Sequence, residues 1–515
     1  MQVISIIPEL GSGGLTNASL LRTHVLGEAG FSPSVMIYSD MGDIEHLREE
    51  LIADGRVHPN TQILNPYHYY RTKYGRQSRG LQALKQNSPK NALKRKRLDY
   101  SFKSVVRDKD LDKEFLFGSD GQIIAIRKRA VKDNLVREVE IYNSAGVVEF
   151  VEMYGKNGER LSVRAMLGDT KVSERYFSTS GFCFLHKEYS SLTGKMKRLW
   201  FWLPGDEEPK QYDSIWEWRR DFVRNILEQS EEPGVLLCDG NNTPAQFYSL
   251  ASAKTKVVAM IHMNHRLEDE KLRPVYATYF NKLHKFDATI CLTERQKNDI
   301  QNITNDSVHV VTIPNYVPSA DQDLIEQTDN SPSSLNANEV VMISRLVKGK
   351  GLSDVVRAFA QVVEKLPSAH LSIYGEGSER AALLTEIKRH HMENAITLRG
   401  KTQEALKCMS RGAVTLFASH SEGFGLTIAE SLSVGTPVVA FACDYGPDEL
   451  IVDGKTGYII PDRKVSEFAE AIVGVLEDST LRNAMGQQAK EWFDTNLSCP
   501  SLSYKWKAFI ESLYN

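Results

Sequence analysis

The chain has 515 residues, 41% of them hydrophobic and 25% charged, with a formal net charge of −3. That length holds two or three domains with full cores, and the balanced charge excludes a chain built as a whole to bind nucleic acid, so any basic surface is local. No window approaches the ~18 apolar residues of a membrane-spanning helix, and Cys183, Cys238, Cys291, Cys408, Cys443 and Cys499 are scattered with no Cys-x-x-Cys pair, several in apolar strands, which reads most simply as buried reduced thiols of a cytosolic protein.

In chain order, Val3–Ile7 reads as a buried strand. Gly13 and Gly14 end the turn that follows, before a helix over about Leu15–Ala29 and a strand at Ser34–Tyr38. This βαβ rhythm places both glycines at the carboxyl end of the first strand, where open α/β sheets bind ligands. The first residues lack the basic region of a secretory signal, so a cytoplasmic protein is expected.

Residues 66–110 break the rhythm with thirteen Lys/Arg against three Asp, interleaved with Tyr67, Tyr69, Tyr70 and Tyr74 and including a Lys94–Arg97 run. The stretch is either a solvated surface or an electrostatic track for a polyanion; no nucleic-acid recognition motif accompanies it. From about 114 to 204, turn signals at Ser119–Gly121, Asn143–Gly146, Lys156–Gly158, Gly168–Asp169 and Thr193–Gly194 separate β-rich runs. An antiparallel block between α/β segments reads as an insertion, and its edges and apolar rows predict a homo-oligomer.

The α/β rhythm returns with a helix over Ile215–Gln229 and strand Val235–Cys238, followed by Asp239. Strand Val257–Ile261 delivers His262 and, less pointedly, His265 at its carboxyl end, where an imidazole faces the crevice. Strands follow at Ala288–Leu292 and Val308–Thr312, and residues 319–338, rich in Ser, Asp, Asn and Gln, read as a linker. A second α/β domain opens with strand Glu339–Ser344 and the basic loop Arg345–Lys350, with Lys348 a less specific neighbour. Two fixed cations there suit a leaving group that gains negative charge, Arg345 as a fork and Lys350 as a point charge.

Strand His370–Tyr374 leads to Gly375 and Gly377, and the Ile396 strand to Gly400 and Lys401. The apolar strand Ala413–Ala418 precedes Glu422, Gly423, Phe424 and Gly425, and the spacing turns helical from Leu426 and Thr427. A glycine loop feeding a helix N-terminus is an anion site. Glu422 and Glu430 frame it, and carboxylates beside phosphates must bind hydroxyls, because the like charges repel. Strand Val438–Ala442 leads into Tyr445–Glu449, and residues 466–515 read as helical.

Glu422 and Glu430 eight apart, inside Ser-Glu-Gly-Phe-Gly-Leu-x-x-x-Glu, together with Arg345-x4-Lys350, resemble the signature of retaining nucleotide-sugar glycosyltransferases of family four. The resemblance implies an α/β GT-B fold: two Rossmann-like domains facing a cleft, with an antiparallel β-rich domain inserted in the N-terminal half. The insertion, with Leu237–Gly240, Ile261–His265 and Tyr445–Pro447, is most similar to the wall teichoic acid, or poly(glycerol or ribitol phosphate), α-glycosyltransferases. The expected divisions are an acceptor domain at 1–65 and 213–318, the basic and β-rich insertion at 66–212, a linker at 319–338, a nucleotide-sugar domain at 339–490, and a helix at 491–515 crossing back to the first domain. Trp492, Phe493, Trp506 and Phe509 are its expected packing residues.

The resemblance also implies roles. Arg345, Lys350 and the amides of Gly423, Phe424, Gly425, Leu426 and Thr427 hold a diphosphate; Glu430 binds ribose; Glu422 contacts the donor sugar; His262 holds a sugar hydroxyl. Gly13 and Gly14 admit the donor phosphates and the acceptor, while Tyr374, Gly375, Gly377, Gly400 and Lys401 flank the base. The implied reaction is α-retaining transfer of glucose or N-acetylglucosamine from a UDP-sugar to the hydroxyls of a polyanionic polyol-phosphate polymer. No cofactor and no metal are expected: Asp108, Asp110 and Asp112 fit the letters of a metal-binding Asp-x-Asp but sit in a charged segment read as non-strand. A homo-oligomer is expected, a trimer by the resemblance, with peripheral membrane association at most, on the inner face. The alternatives are a UDP-N-acetylglucosamine-dependent Ser/Thr transferase for a secreted adhesin, a non-catalytic partner subunit of one, and a sugar phosphorylase on the same fold.

Overall fold

The computed structural model describes the chain except residues 8–9, 11–12, 75–103, 109–111, 131–133, 241–242, 268–270, 320–335 and 462, and the side chains of 104, 278, 336 and 337. The Lys94–Arg97 run, Asp110 and most of the expected linker lie outside the described residues.

The chain opens with β1 (Gln2–Ile7), α1 (Gly14–Glu28), β2 (Ser32–Ile37), β3 (Gln62–Leu64) and α2 (Pro66–Lys73). Ten strands follow, β4 (Ser104–Asp108) through β13 (Lys210–Tyr212), and then α3 (Ile215–Glu228). Next come β14 (Gly234–Cys238), β15 (Thr255–Met260), β16 (Ala288–Cys291), α4 (Glu294–Thr304) and β17 (Val310–Thr312). The last region holds β18 (Asn336–Ile343), α5 (Leu352–Lys365), β19 (His370–Tyr374), β20 (Ile396–Gly400), β21 (Gly412–Phe417), α6 (Leu426–Ser433), β22 (Val438–Phe441), β23 (Gly457–Ile460), α7 (Ser479–Asn496) and α8 (Cys499–Ser512).

Three sheets result: seven strands in the order β17-β16-β15-β14-β1-β2-β3, ten in the order β13 to β4, and six in the order β20-β19-β18-β21-β22-β23. In the first sheet β14 pairs in parallel with β1 and β15, and in the third β18 pairs in parallel with β19 and β21. Their strands read as unbroken apolar runs because both faces are covered; all five residues of β14 are buried. In both sheets the strand order reverses beside a central strand, and the residues after the carboxyl ends face the resulting crevice.

The chain divides into two compact units, Met1–Val35, Ile52–Gln62 and Glu232–Asn515 in one, Met36–Leu51 and Ile63–Glu231 in the other. The second unit is wider than the expected 66–212. Trp218 and Phe222 of α3 pack on Tyr67, Tyr69 and Tyr70 of α2, and Tyr70 also meets Phe201. Arg71 pairs with Asp40 at 2.8 Å. Aromatic packing on α2 thus draws α3, expected in the first α/β domain, to the inserted unit. That sheet starts at Ser104 rather than about 114, because Val105 and Val106 pair with Leu116 and Phe115. Asp108 therefore ends strand β4, correcting the non-strand reading.

The first unit contains both Rossmann-like halves. The strand β18 begins at Asn336, inside the expected linker: Asn336 pairs with Gly412, and a register shift before Val340 absorbs the polar start. The return to the first half also differs from expectation. Phe493 of α7 packs with Ile428, Leu432 and Ala489 of the second half, together with Leu292 and Val317. Ser498 caps a new helix whose first turn carries Pro500, and it is this α8 that enters the core of the first half. Its Leu502, Trp506, Phe509 and Ile510 complete the core formed by Val3, Val25, Leu26, Val235 and Val258.

Candidate active site

In the second half, the loop after β18 and the loop after β21 are locked together. Gly351 adopts φ 63°, and a Cβ there would meet the Ala418 carbonyl oxygen at 2.0 Å, so only glycine allows the approach. The His420 amide donates to the Gly349 carbonyl at 2.9 Å. Arg463 donates from Nη1 to Asp354 at 2.9 Å and to the Ala418 carbonyl at 3.0 Å. This bracing sets the Lys350 ammonium against the Glu422 carboxylate, with a second bond to Ser419 Oγ at 3.2 Å. Arg345, at the mouth of the same loop, is exposed and has no ion-pair partner among the described residues. Two cations therefore flank the crevice, and only one is engaged.

Behind Glu422, Gly425 takes φ 92° and starts α6, which no side chain caps. Glu430 lies on the second turn of α6, half-buried and without an ion-pair partner among the described residues. Burial pushes its carboxyl up to about 7. A buried carboxylate without a cation favours ligands that donate hydroxyls to it. Phe424 is 3% exposed and belongs to the core, so it offers the crevice only its backbone.

The first half faces this loop closely. Its α1 begins after Gly13 and also has no side-chain cap among the described residues. A Cβ on Gly14 would lie 3.2 Å from Leu426 Cδ1, so the starts of α1 and α6 meet across the crevice, and two positive dipole ends converge there. A Cβ on Gly13 would meet nothing within 4 Å among the described residues. A Cβ on Gly423 would lie 2.0 Å from the His262 carbonyl oxygen, and Asn264 donates to Ser421 Oγ at 2.9 Å.

His262 sits at the crevice edge with Nε2 2.5 Å from Asp239 Oδ1. Asp239 is fully buried. Burial pushes its carboxyl up, but the Arg22 guanidinium and His262 outweigh that and hold it at about 2. His265 lies elsewhere than expected: it is 0% exposed and stacked between Phe280 and Tyr445. Burial drives it down to about 4, so it is a neutral packing residue. Further contacts tie the halves: Tyr445 and Arg266 both donate to Asp299 at 2.7 Å, and Glu449 accepts from the Glu294 and Arg295 amides at the start of α4, both at 2.8 Å.

The structure thus brings Gly13, Gly14, His262, Lys350, Glu422, Gly423, Gly425, Leu426 and Glu430 to one crevice, with Arg345 at its mouth. The base-flanking set is more heavily used by the protein itself. The Gly375 amide donates to the Gly400 carbonyl at 2.8 Å, and a Cβ on Gly375 or Gly377 would meet the Ser344 or Leu346 carbonyl oxygen at 1.8 or 2.2 Å. These glycines let three loops pack; Tyr374 ends β19 beside them, and Lys401 is exposed. Sequence reasoning missed Arg22, Ser419, Arg463 and Asn264 and left Asp239 without a role. Arg22 had a signal, a guanidinium within the buried run Ala18–Leu26 of a helix.

Residues 325–492 match the family described as Glycosyl transferases group 1. A poly(glycerol-phosphate) alpha-glucosyltransferase of Bacillus subtilis is 25% identical over 491 residues, covering 93% of this chain and 70% of that protein. A poly(ribitol-phosphate) alpha-N-acetylglucosaminyltransferase of Staphylococcus aureus is 23% identical over 519 residues, covering 98% of each. The solved structure of a TarM mutant from S. aureus, in complex with fondaparinux, alpha-GlcNAc-glycerol and UDP, superposes with a TM-score of 0.81 at 19% identity, over 100% of this chain and 99% of that one. The fold is that of the GT-B enzymes with an inserted antiparallel sheet.

Proposed function

We propose, for a glycosyltransferase whose residues 325–492 form a group 1 domain, that it moves glucose or N-acetylglucosamine from a UDP-sugar, with retention, to hydroxyls of a poly(ribitol or glycerol phosphate) wall teichoic acid. The observation that carries the reading is the Lys350–Glu422–Ser419 cluster, set between two uncapped helix starts and beside Glu430. Arg345, Lys350 and the helix α6 amides take the diphosphate. Glu430 accepts the ribose hydroxyls. Glu422 lies against the donor sugar and supports positive charge at the anomeric carbon. The acceptor oxygen attacks from the leaving-group side, the bond from the anomeric carbon to the phosphate oxygen breaks, and that oxygen takes the acceptor proton.

The test is UDP release by the purified protein from UDP-glucose and UDP-N-acetylglucosamine, with teichoic polymer, with a Ser/Thr-rich adhesin segment, and with neither. Polymer-stimulated release supports the reading, and adhesin-stimulated release replaces it with the Ser/Thr transferase. Because Arg345 and Lys350 supply the charge a divalent ion would, transfer is expected to persist in EDTA; complete loss would refute the role of the cation pair.

Glu430 gives a pH dependence. Its folded value of about 7 lies above the ordinary 4.5, so the folded state keeps the proton longer than the unfolded chain. Stability therefore falls as pH rises from about 4.5 to about 7, by roughly 3 kcal/mol in all. Ribose hydroxyls donate to the ionised form, so UDP affinity is expected to rise up to about tenfold per pH unit below 7 and to level off above it. Glu430→Gln should bind more weakly and flatten that profile in calorimetric titrations at pH 6 and 8.

The inserted sheet ends on β4, where Val105 and Val106 are 44% and 55% exposed. An edge strand of this kind pairs with another copy, and a homo-oligomer, with a trimer as the first expectation, is proposed through it. Light scattering should find Val106→Lys in a lower state than the parent; equal states would reject the role of this edge. No helix among the described residues is long and apolar enough to cross a membrane, and a cytoplasmic enzyme working at the inner membrane face is proposed.

A further inference from the structure

We propose that Asp239 is a positioning residue that fixes the tautomer of His262 and leaves its Nδ1 as a hydrogen-bond acceptor for a hydroxyl of the bound sugar; the sugar's presence rests on the transferase reading above. The geometry is a buried relay. Asp239 follows β14 and is 0% exposed. Arg22, reaching out of α1, grips both its oxygens, Nη1 to Oδ1 at 3.2 Å and Nη2 to Oδ2 at 2.5 Å, while Nη2 also donates to Ser5 Oγ at 3.0 Å. Trp506 of α8 lies over the same guanidinium, 5.6 Å from its ring centroid to the Arg22 carbon. The carboxylate's charge is thus balanced before the imidazole is counted.

An ionised carboxylate only accepts hydrogen bonds, so the His262 nitrogen 2.5 Å from Oδ1 must carry a proton. In the neutral ring the other nitrogen then carries a lone pair. That nitrogen, Nδ1, is buried and has no hydrogen-bond partner among the described residues. A buried acceptor without a donor is unfavourable, and a ligand hydroxyl placed there removes the cost. The same residue's carbonyl lies against Gly423, so the His262 backbone borders the loop that carries Glu422. Carboxylates that orient a working imidazole in this way set which nitrogen does the work.

Asp239→Asn alone leaves Arg22 buried without its counter-charge, so the test pairs it with Arg22→Gln, which removes both charges. Ring-labelled histidine, with His262 assigned by its loss in His262→Asn, reports the tautomer by 15N shifts. In the parent enzyme the expected state is protonated at Nε2 and bare at Nδ1. In the double variant the preference is expected to be lost, with transfer falling about 10- to 100-fold in kcat at little change in UDP affinity. A purely structural role would move melting temperature and UDP affinity along with kcat. A parent ring protonated at Nδ1, or a folded double variant transferring at the parent rate, would overturn the proposal. Absence of transfer from every UDP-sugar tried would overturn the transferase reading, and the hydroxyl-accepting role with it, while leaving the tautomer signal in place, so the two failures are told apart.

Discussion

Replacing Arg345 and Lys350 together by alanine is expected to lower sugar transfer about 10⁴-fold in a protein that still folds. The chemistry asks for positive charge where the bond between sugar and phosphate opens, and each preorganised group aimed at such a charge contributes roughly 10²- to 10³-fold. The two side chains are fixed by different means. Lys350 is held by Glu422 and Ser419 on a loop clamped by Gly351 and Arg463. Arg345 is exposed at the loop's start, so neither change opens a core. Removing Lys350 also frees Glu422 from its ion pair, and Lys350→Ala should therefore cost more than Arg345→Ala. UDP release assayed beside a thermal melt decides it: a well-folded double variant within tenfold of the parent would remove these residues from the site.

Gly423→Ala is the second large effect, and it acts on geometry rather than charge. The new methyl group would sit 2.0 Å from the His262 carbonyl oxygen and 2.8 Å from Met263 Cα, both backbone atoms of the opposite half. Backbone cannot give way as the tip of a flexible side chain can, so the crevice must widen. The groups proposed to take the diphosphate and ribose through their charges and amides, Arg345, Lys350, Glu430 and the start of α6, all belong to the second half, so UDP affinity should change little. Transfer, which needs groups from both halves within bonding distance, should fall at least about 10²-fold, since a displacement of about 1 Å costs that much. Gly13→Ala is the control. It meets no atom of the described residues within 4 Å, so a loss of activity there reports on the substrate's own approach. Parent-like turnover in Gly423→Ala would show that the observed closeness of the halves is not required.

The parallel strands, the glycine loop and the residues ending each strand were legible because each rests on neighbouring positions. Glu422, Glu430, Arg345, Lys350 and His262 all follow buried apolar runs, and a run of that kind fixes where its carboxyl end lies. The bracing was not legible. Arg463 holds the Ala418 carbonyl from 45 residues away, and Arg22 reaches Asp239 across 217; no local pattern encodes such a meeting. His265 misled for the opposite reason, since it shares His262's position after a strand, and only its stacking on Phe280 and Tyr445 shows it as filling. The inserted unit's far limit was misjudged because α3 carries a helical pattern indistinguishable from that of a Rossmann helix until Trp218 is seen against Tyr67 and Tyr70.

Ser503 bonds the Val25 carbonyl across 478 positions of sequence, and α8 fills the core around β1 and α1. During translation, the first-made strands must wait, their apolar faces uncovered, while the ribosome makes the entire second half and then α8. A ribosome that stalls or stops before Cys499 would therefore release a chain with a finished second half and an unfinished first half, exposed to proteases.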